Sequence, residues 1–125
     1  MSRPLKIVVA DDERDTREYL REYGCHLGHD VRAAADGRQL VEICRAFKPD
    51  LIVTDYAMPG LDGLAAAAEV NRDRAVPVIL ISGRDDAESL AKADGSPVVT
   101  FLAKPVREAE LRAAIAAVAT RADPP

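Results

Sequence analysis

Four apolar, strand-like runs in this chain each end in a side chain that can do chemistry. The polar groups that follow these runs are, in chain order, Asp11 with Asp12, Asp55, Ser82, and Lys104. Because the carboxyl ends of parallel strands meet at one edge of a sheet, where ligands bind, we expect these groups to share one pocket. Three carboxylates, a hydroxyl and an ammonium suit a divalent cation and a phosphoryl group. Asp55 is the predicted nucleophile.

A cluster of three carboxylates predicts a bound cation. At separations of about 5 Å and an effective dielectric near 20, each pair of carboxylates costs roughly 3 kcal/mol. Carboxylate oxygens together with waters are the ligands that Mg²⁺ prefers. An isolated pair such as Asp11 and Asp12 more often caps the following helix. We favour the magnesium site here because the strand that ends in Asp55 is expected to lie beside theirs.

Apolar runs alternate with segments of helical periodicity five times, which predicts an α/β fold with a parallel sheet covered on both faces. The predicted strands β1 to β5 span residues 5–10, 30–34, 50–54, 77–82 and 97–102. The predicted helices α1 to α5 span residues 13–27, 37–47, 63–72, 86–94 and 107–121. We expect a single domain over residues 1–121 and a short tail or linker at 122–125.

The helical spacing also predicts which side chains face the core. Tyr19 and Tyr23 are core candidates on α1, and Leu90 is the predicted apolar anchor of α4, with Ala87 and Ala91 beside it. Gly24 lies inside α1, where glycine costs up to about 1 kcal/mol relative to alanine. No local sequence feature explains that glycine.

Composition excludes several classes of protein. The chain has 125 residues, a formal net charge of −4 and no Trp, which argues against a general nucleic-acid binder. No apolar stretch approaches the roughly 20 residues of a membrane span, and the first residues lack the apolar core of a signal peptide. The expected compartment is therefore the cytoplasm. Cys25 and Cys44 are predicted to be reduced and partly buried, and His26 and His29 lack a second ligand pair at zinc spacing.

Six motifs, in this order and at this spacing, resemble the receiver domain of two-component response regulators over essentially the whole chain. The matching segments are Val9–Asp12, Ala35–Gly37, Lys48–Asp55, Met58–Gly63, Pro77–Gly83 and Phe101–Pro105. The resemblance implies a flavodoxin-like, doubly wound sheet in the order 2-1-3-4-5, with two helices on one face and three on the other.

The resemblance also implies a set of metal ligands. Asp12 and Asp55 are expected to bind Mg²⁺ directly, together with the backbone carbonyl of Ala57. Asp11 is expected to act mainly through a bound water. The cation would offset the charge of the carboxylates and of an incoming phosphoryl group.

Further residues are implied to bind the phosphoryl group and to report its presence. Lys104 and the backbone N–H groups of Ala57 and Gly83 are expected to hold phosphoryl oxygens on Asp55. Ser82 is the movable donor of the switch. Phe101, three positions before the lysine, is the aromatic residue that turns inward when Ser82 moves.

The implied function is a signalling switch that accepts a phosphoryl group from a histidine kinase or a histidine phosphotransfer protein. Phosphorylation would change the surface of α4, β5 and α5, where a downstream protein or a second copy of the chain would bind. We expect no direct contact with nucleic acid or membrane. Outside its own phosphorylation and dephosphorylation, we expect no enzymatic activity. We favour a standalone domain over a fragment of a larger regulator or hybrid kinase.

Two other functions use the same kinds of residue. A phosphohydrolase of the haloacid-dehalogenase type also has an aspartyl nucleophile and Mg²⁺, but it needs a general-acid Asp two residues later. That position is Ala57, which transfers no proton. A pseudo-receiver would serve only as a docking module and would never be phosphorylated on Asp55.

Overall fold

The computed structural model describes residues 3–83, 88, 90–92 and 95–122. The strands are β1 Lys6–Ala10, β2 Asp30–Ala34, β3 Leu51–Asp55, β4 Val78–Ser82 and β5 Val98–Ala103. The helices are α1 Arg14–His26, α2 Gly37–Phe47, α3 Gly63–Asp73 and α5 Glu108–Ala122. Each of these elements agrees with its predicted range to within about a residue at either end.

The five strands form one sheet in the order β2-β1-β3-β4-β5, and every neighbouring pair is parallel. All residues of β3 and β4 are buried. This burial explains their continuous runs of apolar residues, because helices cover both faces of a parallel sheet. The predicted fold and strand order are confirmed.

Of the four helices whose bounds are given above, two pack on each face of the sheet. Along β1, Ile7 and Val9 belong to one apolar cluster, and Val8 and Ala10 belong to the other. The first cluster includes Leu20 and Tyr23 of α1 and Leu111, Ile115 and Val118 of α5. The second includes Leu40, Val41 and Cys44 of α2 and Ala66, Ala67 and Val70 of α3. Burying one such aliphatic side chain contributes about 1.5–3 kcal/mol, so the two layers hold the sheet rigidly.

Two of the predicted core positions are wrong. Tyr19 is 41% exposed, and its ring stacks on that of Tyr23 at a centroid distance of 6.0 Å. Tyr23 is the buried member of the pair. Helical spacing therefore identified the correct face of α1 but not how far the buried part of that face extends. In the predicted α4, the described residues Glu88, Leu90 and Ala91 are helical. Leu90 is 42% exposed while Ala91 is buried, so Ala91 turns toward the core in place of the predicted anchor. Lys92, the other described residue of the predicted range, lies in a turn. The remaining residues of the predicted α4 lie outside the described ranges.

Two aspartates with glycine neighbours begin helices on the second face of the sheet. Asp36 accepts a hydrogen bond from the backbone N–H of Gln39 at 2.8 Å, and Asp62 accepts one from that of Ala65 at 2.7 Å. Each carboxylate thus caps the first turn of a helix, α2 or α3, and contributes about 1 kcal/mol. These contacts define the start of both helices.

The cysteines and histidines serve local structure in the described part of the chain. Cys25 is exposed rather than partly buried, and Cys44 is buried in the core. Burial raises the pKa of the Cys44 thiol to about 12. His29 accepts a hydrogen bond at Nδ1 from the backbone N–H of Leu5 at 2.9 Å. Partial burial lowers the pKa of His29, which favours the neutral ring that this contact requires.

Within the described residues, none of the helices is both long enough and apolar enough to cross a bilayer.

Gly24 permits close packing of α1 on β2. A Cβ built at Gly24 would lie 2.8 Å from Cγ2 of Val31, closer than real Cβ contacts. We predict that Gly24→Ala destabilises the protein by about 1–2 kcal/mol, because overpacking outweighs the gain in helix propensity. In a Val31→Ala background the same substitution should instead stabilise by up to about 1 kcal/mol. Urea unfolding of the four proteins measures both values, and an effect of Gly24→Ala that does not depend on residue 31 would contradict this explanation.

Candidate functional site

The three predicted carboxylates meet at the carboxyl edge of the sheet. Ala10 of β1 pairs with Thr54 of β3, so the next residues on these strands, Asp11 and Asp55, emerge side by side. Asp12 follows in the loop between β1 and α1. One carboxylate oxygen from each of the three aspartates lies within 4.8 Å of the others. The pairing of β1 with β3 therefore determines the cluster.

Asp11 is held by hydrogen bonds at all of its polar atoms except one. Its backbone N–H donates to Ala34 O at 3.2 Å, and its Oδ1 accepts from the N–H of Glu13 at 2.9 Å. Its carbonyl oxygen accepts from Nη1 of Arg17 at 3.0 Å. Its Oδ2 is buried and accepts no hydrogen bond from the residues that the structure describes. Asp11 is therefore not the N-cap of α1; that position is Glu13.

Lys104 pairs with the predicted nucleophile. Its Nζ lies 3.1 Å from Oδ1 of Asp55, and the side chain of Asp55 is 5% exposed while that of Lys104 is 40% exposed. The backbone N–H of Lys104 donates to Ser82 O at 3.0 Å. Lys104 therefore directly follows the last residue of β5 and lies beside the end of β4. The peptide bond between Lys104 and Pro105 is cis. The Lys104–Asp55 ion pair joins a partly exposed ammonium to a buried carboxylate.

The electrostatics of the cluster favour an added positive charge. Burial raises the pKa of Asp11, and the charges of Asp55 and Asp12 raise it further. Burial also raises the pKa of Asp55, although Lys104 opposes the shift. Partial burial alone would lower the pKa of Lys104, but the hydrogen bond and charge of Asp55 raise it above its ordinary value. The lysine is therefore charged at neutral pH, while two carboxylates are held in surroundings that disfavour their charge.

The donor set fits a small, hard divalent cation. Three carboxylates converge, and Oδ2 of Asp11 is buried without a donor among the described residues. A cation, or a water bound to it, would satisfy this oxygen, and the cation would offset the repulsion among the three charges. Asp12 is exposed, so one side of the cluster is open to water and to a ligand. Asp11, Asp12 and Asp55 are the residues that could hold Mg²⁺.

The other predicted site residues lie on the same edge or next to it. Ser82 is buried at the end of β4 and pairs with Ala103, and Gly83 follows it. Ala57 is exposed in the loop after β3. Phe101 lies on β5, half-buried, and pairs with Leu80 rather than with Ser82. The structure thus brings Ser82, Gly83 and Lys104 to the edge that carries Asp55, whereas the phosphoryl-binding and switching roles stay predictions.

Residues that support the site were not predicted from sequence. A Cβ at Gly63, the first residue of α3, would overlap the carbonyl oxygen of Asp55 and lie 2.8 Å from Oγ1 of Thr54. The Thr54 hydroxyl donates to that same carbonyl at 3.0 Å. Gly63 therefore lets α3 pack directly against the end of β3. Arg17, whose guanidinium donates to the carbonyl of Asp11, is a second such residue. The sequence signal for Gly63 was its place in the Met58–Gly63 motif, and Arg17 had none.

Comparison with known proteins identifies a common family. A family model described as the response regulator receiver domain matches residues 7–116. The transcriptional regulatory protein PdtaR of Mycobacterium tuberculosis is 31% identical over 122 residues, which cover 94% of this chain and 58% of that protein. The regulator of RpoS of Escherichia coli is 35% identical over 112 residues, covering 86% of this chain and 33% of that protein.

The fold matches solved structures of receiver domains. The receiver domain of the Francisella response regulator 1452 superimposes with a TM-score of 0.85 at 27% identity, covering 95% of this chain and 99% of that one. The chain spans about half the length, or less, of the curated relatives that it matches. What those longer proteins do as a whole is therefore not carried over to this chain.

Gly63 provides a stability test of the contact between α3 and the nucleophile strand. We predict that Gly63→Ala destabilises the protein by about 1–3 kcal/mol or more, because the new methyl group would push against the backbone of Asp55. Gly83→Ala is the matched control, since a Cβ there would meet only Cβ of Lys104 at 3.7 Å, an ordinary contact. Chemical unfolding of both variants decides the matter. Equal stabilities would mean that α3 does not need this approach to β3.

Proposed function

The chain belongs to the response regulator receiver domain family, and on that premise we propose that it is a phosphorylation-driven signalling switch whose acceptor is Asp55. The observation that carries this proposal is the position of Asp55. Its carboxylate contacts Lys104 at 3.1 Å and lies within 4.8 Å of two further carboxylates at the open edge of the sheet. Proteins of this family take part in two-component signalling, in which the signal is transmitted by transfer of a phosphoryl group.

The proposed reaction is the transfer of a phosphoryl group to the Asp55 carboxylate. An oxygen of Asp55 attacks phosphorus, the bond from phosphorus to the donor's imidazole nitrogen breaks, and that nitrogen retains the electron pair. The product is an acyl phosphate on Asp55. Such a transfer depends on positioning and charge neutralisation more than on acid–base chemistry, and the buried, fixed Asp55 provides the positioning.

Charge neutralisation is assigned to a cation and to Lys104. Receiver domains are generally Mg²⁺-dependent, and the three-carboxylate cluster suits that ion. We propose that Asp12, Asp55 and the backbone carbonyl of Ala57 hold it directly, with Asp11 acting mainly through a water. When bound, the ion offsets the charge on the carboxylates and on the phosphoryl oxygens. The Lys104 ammonium, already beside Asp55, would bind a phosphoryl oxygen from the other side.

The switch is assigned to Ser82 and Phe101. The added phosphoryl group brings negative charge and new acceptor oxygens next to the end of β4, where Ser82 lies. The backbone N–H groups of Ala57 and Gly83 would bind further phosphoryl oxygens. Movement of Ser82 toward the phosphoryl group leaves space that the half-buried Phe101 can fill. Since Phe101 lies on β5, this movement would alter the face formed by α4, β5 and α5.

A groove beside the site suits the phosphodonor. A cavity of about 610 Å³ lies next to Lys104, between α1 and the loop that follows β5. The exposed ring of Tyr19 lines it together with Pro105 and Val106, and the acidic side chains that line it are those of Glu13 and Asp15. We assign this groove to the histidine kinase or histidine phosphotransfer protein, because a donor docked there brings its phosphohistidine to Asp55.

Several broader properties are part of the proposal. Residues 1–121 are the proposed receiver domain, and α5 extends one residue beyond that range, to Ala122. The output is a protein partner or a second copy of the chain on the face of α4, β5 and α5. We propose a cytoplasmic location, with no direct binding of nucleic acid by this domain. The net charge of −4 supports that last point.

The principal alternative is a phosphohydrolase with the same nucleophile. Such an enzyme needs an acid two residues after Asp55 to protonate the leaving group. That residue is Ala57, and the nearest cationic side chain to Asp55 in the described part of the chain is that of Lys104, a phosphate binder rather than an acid in this setting. The geometry therefore favours storage of the phosphoryl group over turnover.

We predict that acetyl phosphate and Mg²⁺ add one phosphoryl group to the wild-type protein. Intact-mass spectrometry should detect a single adduct, and Asp55→Asn should carry none. Asp30→Asn, which makes the same chemical change at the opposite end of the sheet, should be labelled like the wild type. An equal adduct on Asp55→Asn would reject Asp55 as the acceptor. The absence of any adduct on the wild type would support a pseudo-receiver, and release of phosphate well beyond one equivalent would support the hydrolase.

We also predict that Mg²⁺ stabilises the folded protein. Binding to the native state alone stabilises by about 2.7 kcal/mol when the free ion is at 100 times its dissociation constant. Urea unfolding with and without Mg²⁺ should show this gain in the wild type. Asp12→Asn should lose most of it, and the equally exposed Asp30→Asn should keep it. A gain of the same size in Asp12→Asn would show that the ion binds elsewhere.

A further inference from the structure

We propose that Arg17 is a positioning residue that holds the metal-binding loop between β1 and α1 in its working shape. This inference rests on the proposed function, because it concerns the same carboxylate cluster. Its basis is one contact. Nη1 of Arg17 donates to the backbone carbonyl of Asp11 at 3.0 Å, six residues back along the chain.

The carbonyl of Asp11 lies where the sheet stops providing partners. The ladders that join β1 to β2 and to β3 both end at Ala10. Beyond that residue the chain leaves the sheet and turns into α1. Asp11 is 1% exposed, so a carbonyl without a partner there would be destabilising, because water cannot replace the missing hydrogen bond. Arg17 provides the partner from the beginning of α1.

The contact acts against a force that would open the loop. Asp11, Asp12 and Asp55 have carboxylate oxygens within 4.8 Å of one another, and like charges at this distance repel one another. Asp55 is fixed within β3, whereas Asp11 and Asp12 are on a turn that can yield. Arg17 ties that turn to the helix, and the Glu13 N–H fixes Oδ1 of Asp11 at 2.9 Å.

The consequence is that Oδ2, the other carboxylate oxygen of Asp11, is held in one orientation. Its Oδ2 is buried and accepts no hydrogen bond from the described residues. With the carbonyl and Oδ1 both held, the carboxylate cannot rotate to bring Oδ2 to solvent without breaking a contact. Arg17 therefore acts on the cation through the orientation of Asp11. Its own guanidinium is not a ligand.

The first test is the Mg²⁺ affinity, measured by calorimetric titration. Arg17→Met removes the donor but keeps an unbranched stem, and it should weaken Mg²⁺ binding about tenfold, as loss of a group that orients a metal ligand typically does. Arg17→Lys retains one donor and should stay within about threefold of the wild type. Arg14→Met, which removes the same charge from an exposed position of α1, should leave the affinity unchanged.

A second measurement does not depend on the metal. In the metal-free protein, Arg17→Met should speed hydrogen exchange of the Glu13 amide at least about threefold, because the turn that it closes is loosened. The Gln39 amide is the internal reference, since it donates to Asp36 in the same manner at 2.8 Å and is remote from Arg17. Its exchange rate should not change.

The outcomes separate the two proposals. Wild-type affinity in Arg17→Met, or an equal loss in Arg14→Met, overturns the positioning role. If the wild type itself binds no Mg²⁺, the magnesium site of the proposed function fails, and the exchange of the Glu13 amide still decides whether Arg17 holds the turn. If Arg17→Met does not fold, the test passes to Arg17→Lys. Its Mg²⁺ affinity and its Glu13 amide exchange rate should then both lie close to the wild-type values, and a change in one without the other overturns the positioning role.

Discussion

Repulsion among three carboxylates at one edge of the sheet is the constraint on which the other features of this molecule depend. Asp11, Asp12 and Asp55 are brought within 4.8 Å because β1 and β3 are hydrogen-bonded neighbours. A flexible surface would let such charges separate. Here two of the three are buried, and burial raises the pKa of Asp11 and of Asp55. Only a rigid support can hold them, and the doubly covered parallel sheet is that support.

The supporting contacts around the cluster share one feature: each closes the distance between a helix and the end of a strand. Gly63 removes the Cβ that would keep α3 from the carbonyl of Asp55, and Thr54 donates to that carbonyl at 3.0 Å. Arg17 extends from α1 to Asp11. The cluster is therefore tied to helices on both faces of the sheet. In the proposed switch, a movement at the site would be transmitted to those helices, because the packed layers between them deform little.

Local sequence patterns were sufficient for the strands and the carboxylate cluster, for a specific physical reason, whereas the strand order came from the resemblance to receiver domains. Buried parallel strands are continuous apolar runs, and the residue that ends each run is at the functional edge. The errors have a different origin. Tyr19 and Tyr23 are one helical turn apart and so share a face, but only the packing of α5 decides which of them is covered. The roles of Gly24 and Arg17 could not be predicted from the sequence. Gly24 is needed because its helix packs against Val31, and Arg17 donates to the carbonyl of Asp11, and both contacts exist only in the folded chain.

Lys104 links the charge balance of the resting site to its proposed chemistry. In the resting site its ammonium lies 3.1 Å from Asp55 and offsets part of the repulsion. The Lys104 side chain is 40% exposed, so its ammonium would have room to follow a phosphoryl oxygen in the proposed transfer to Asp55. Its raised pKa keeps it charged through such a transfer. Because one positive charge faces three negative ones, the site still attracts a cation at rest. A phosphoryl group, which brings further negative charge, strengthens that attraction, so cation and phosphoryl group should each favour the binding of the other.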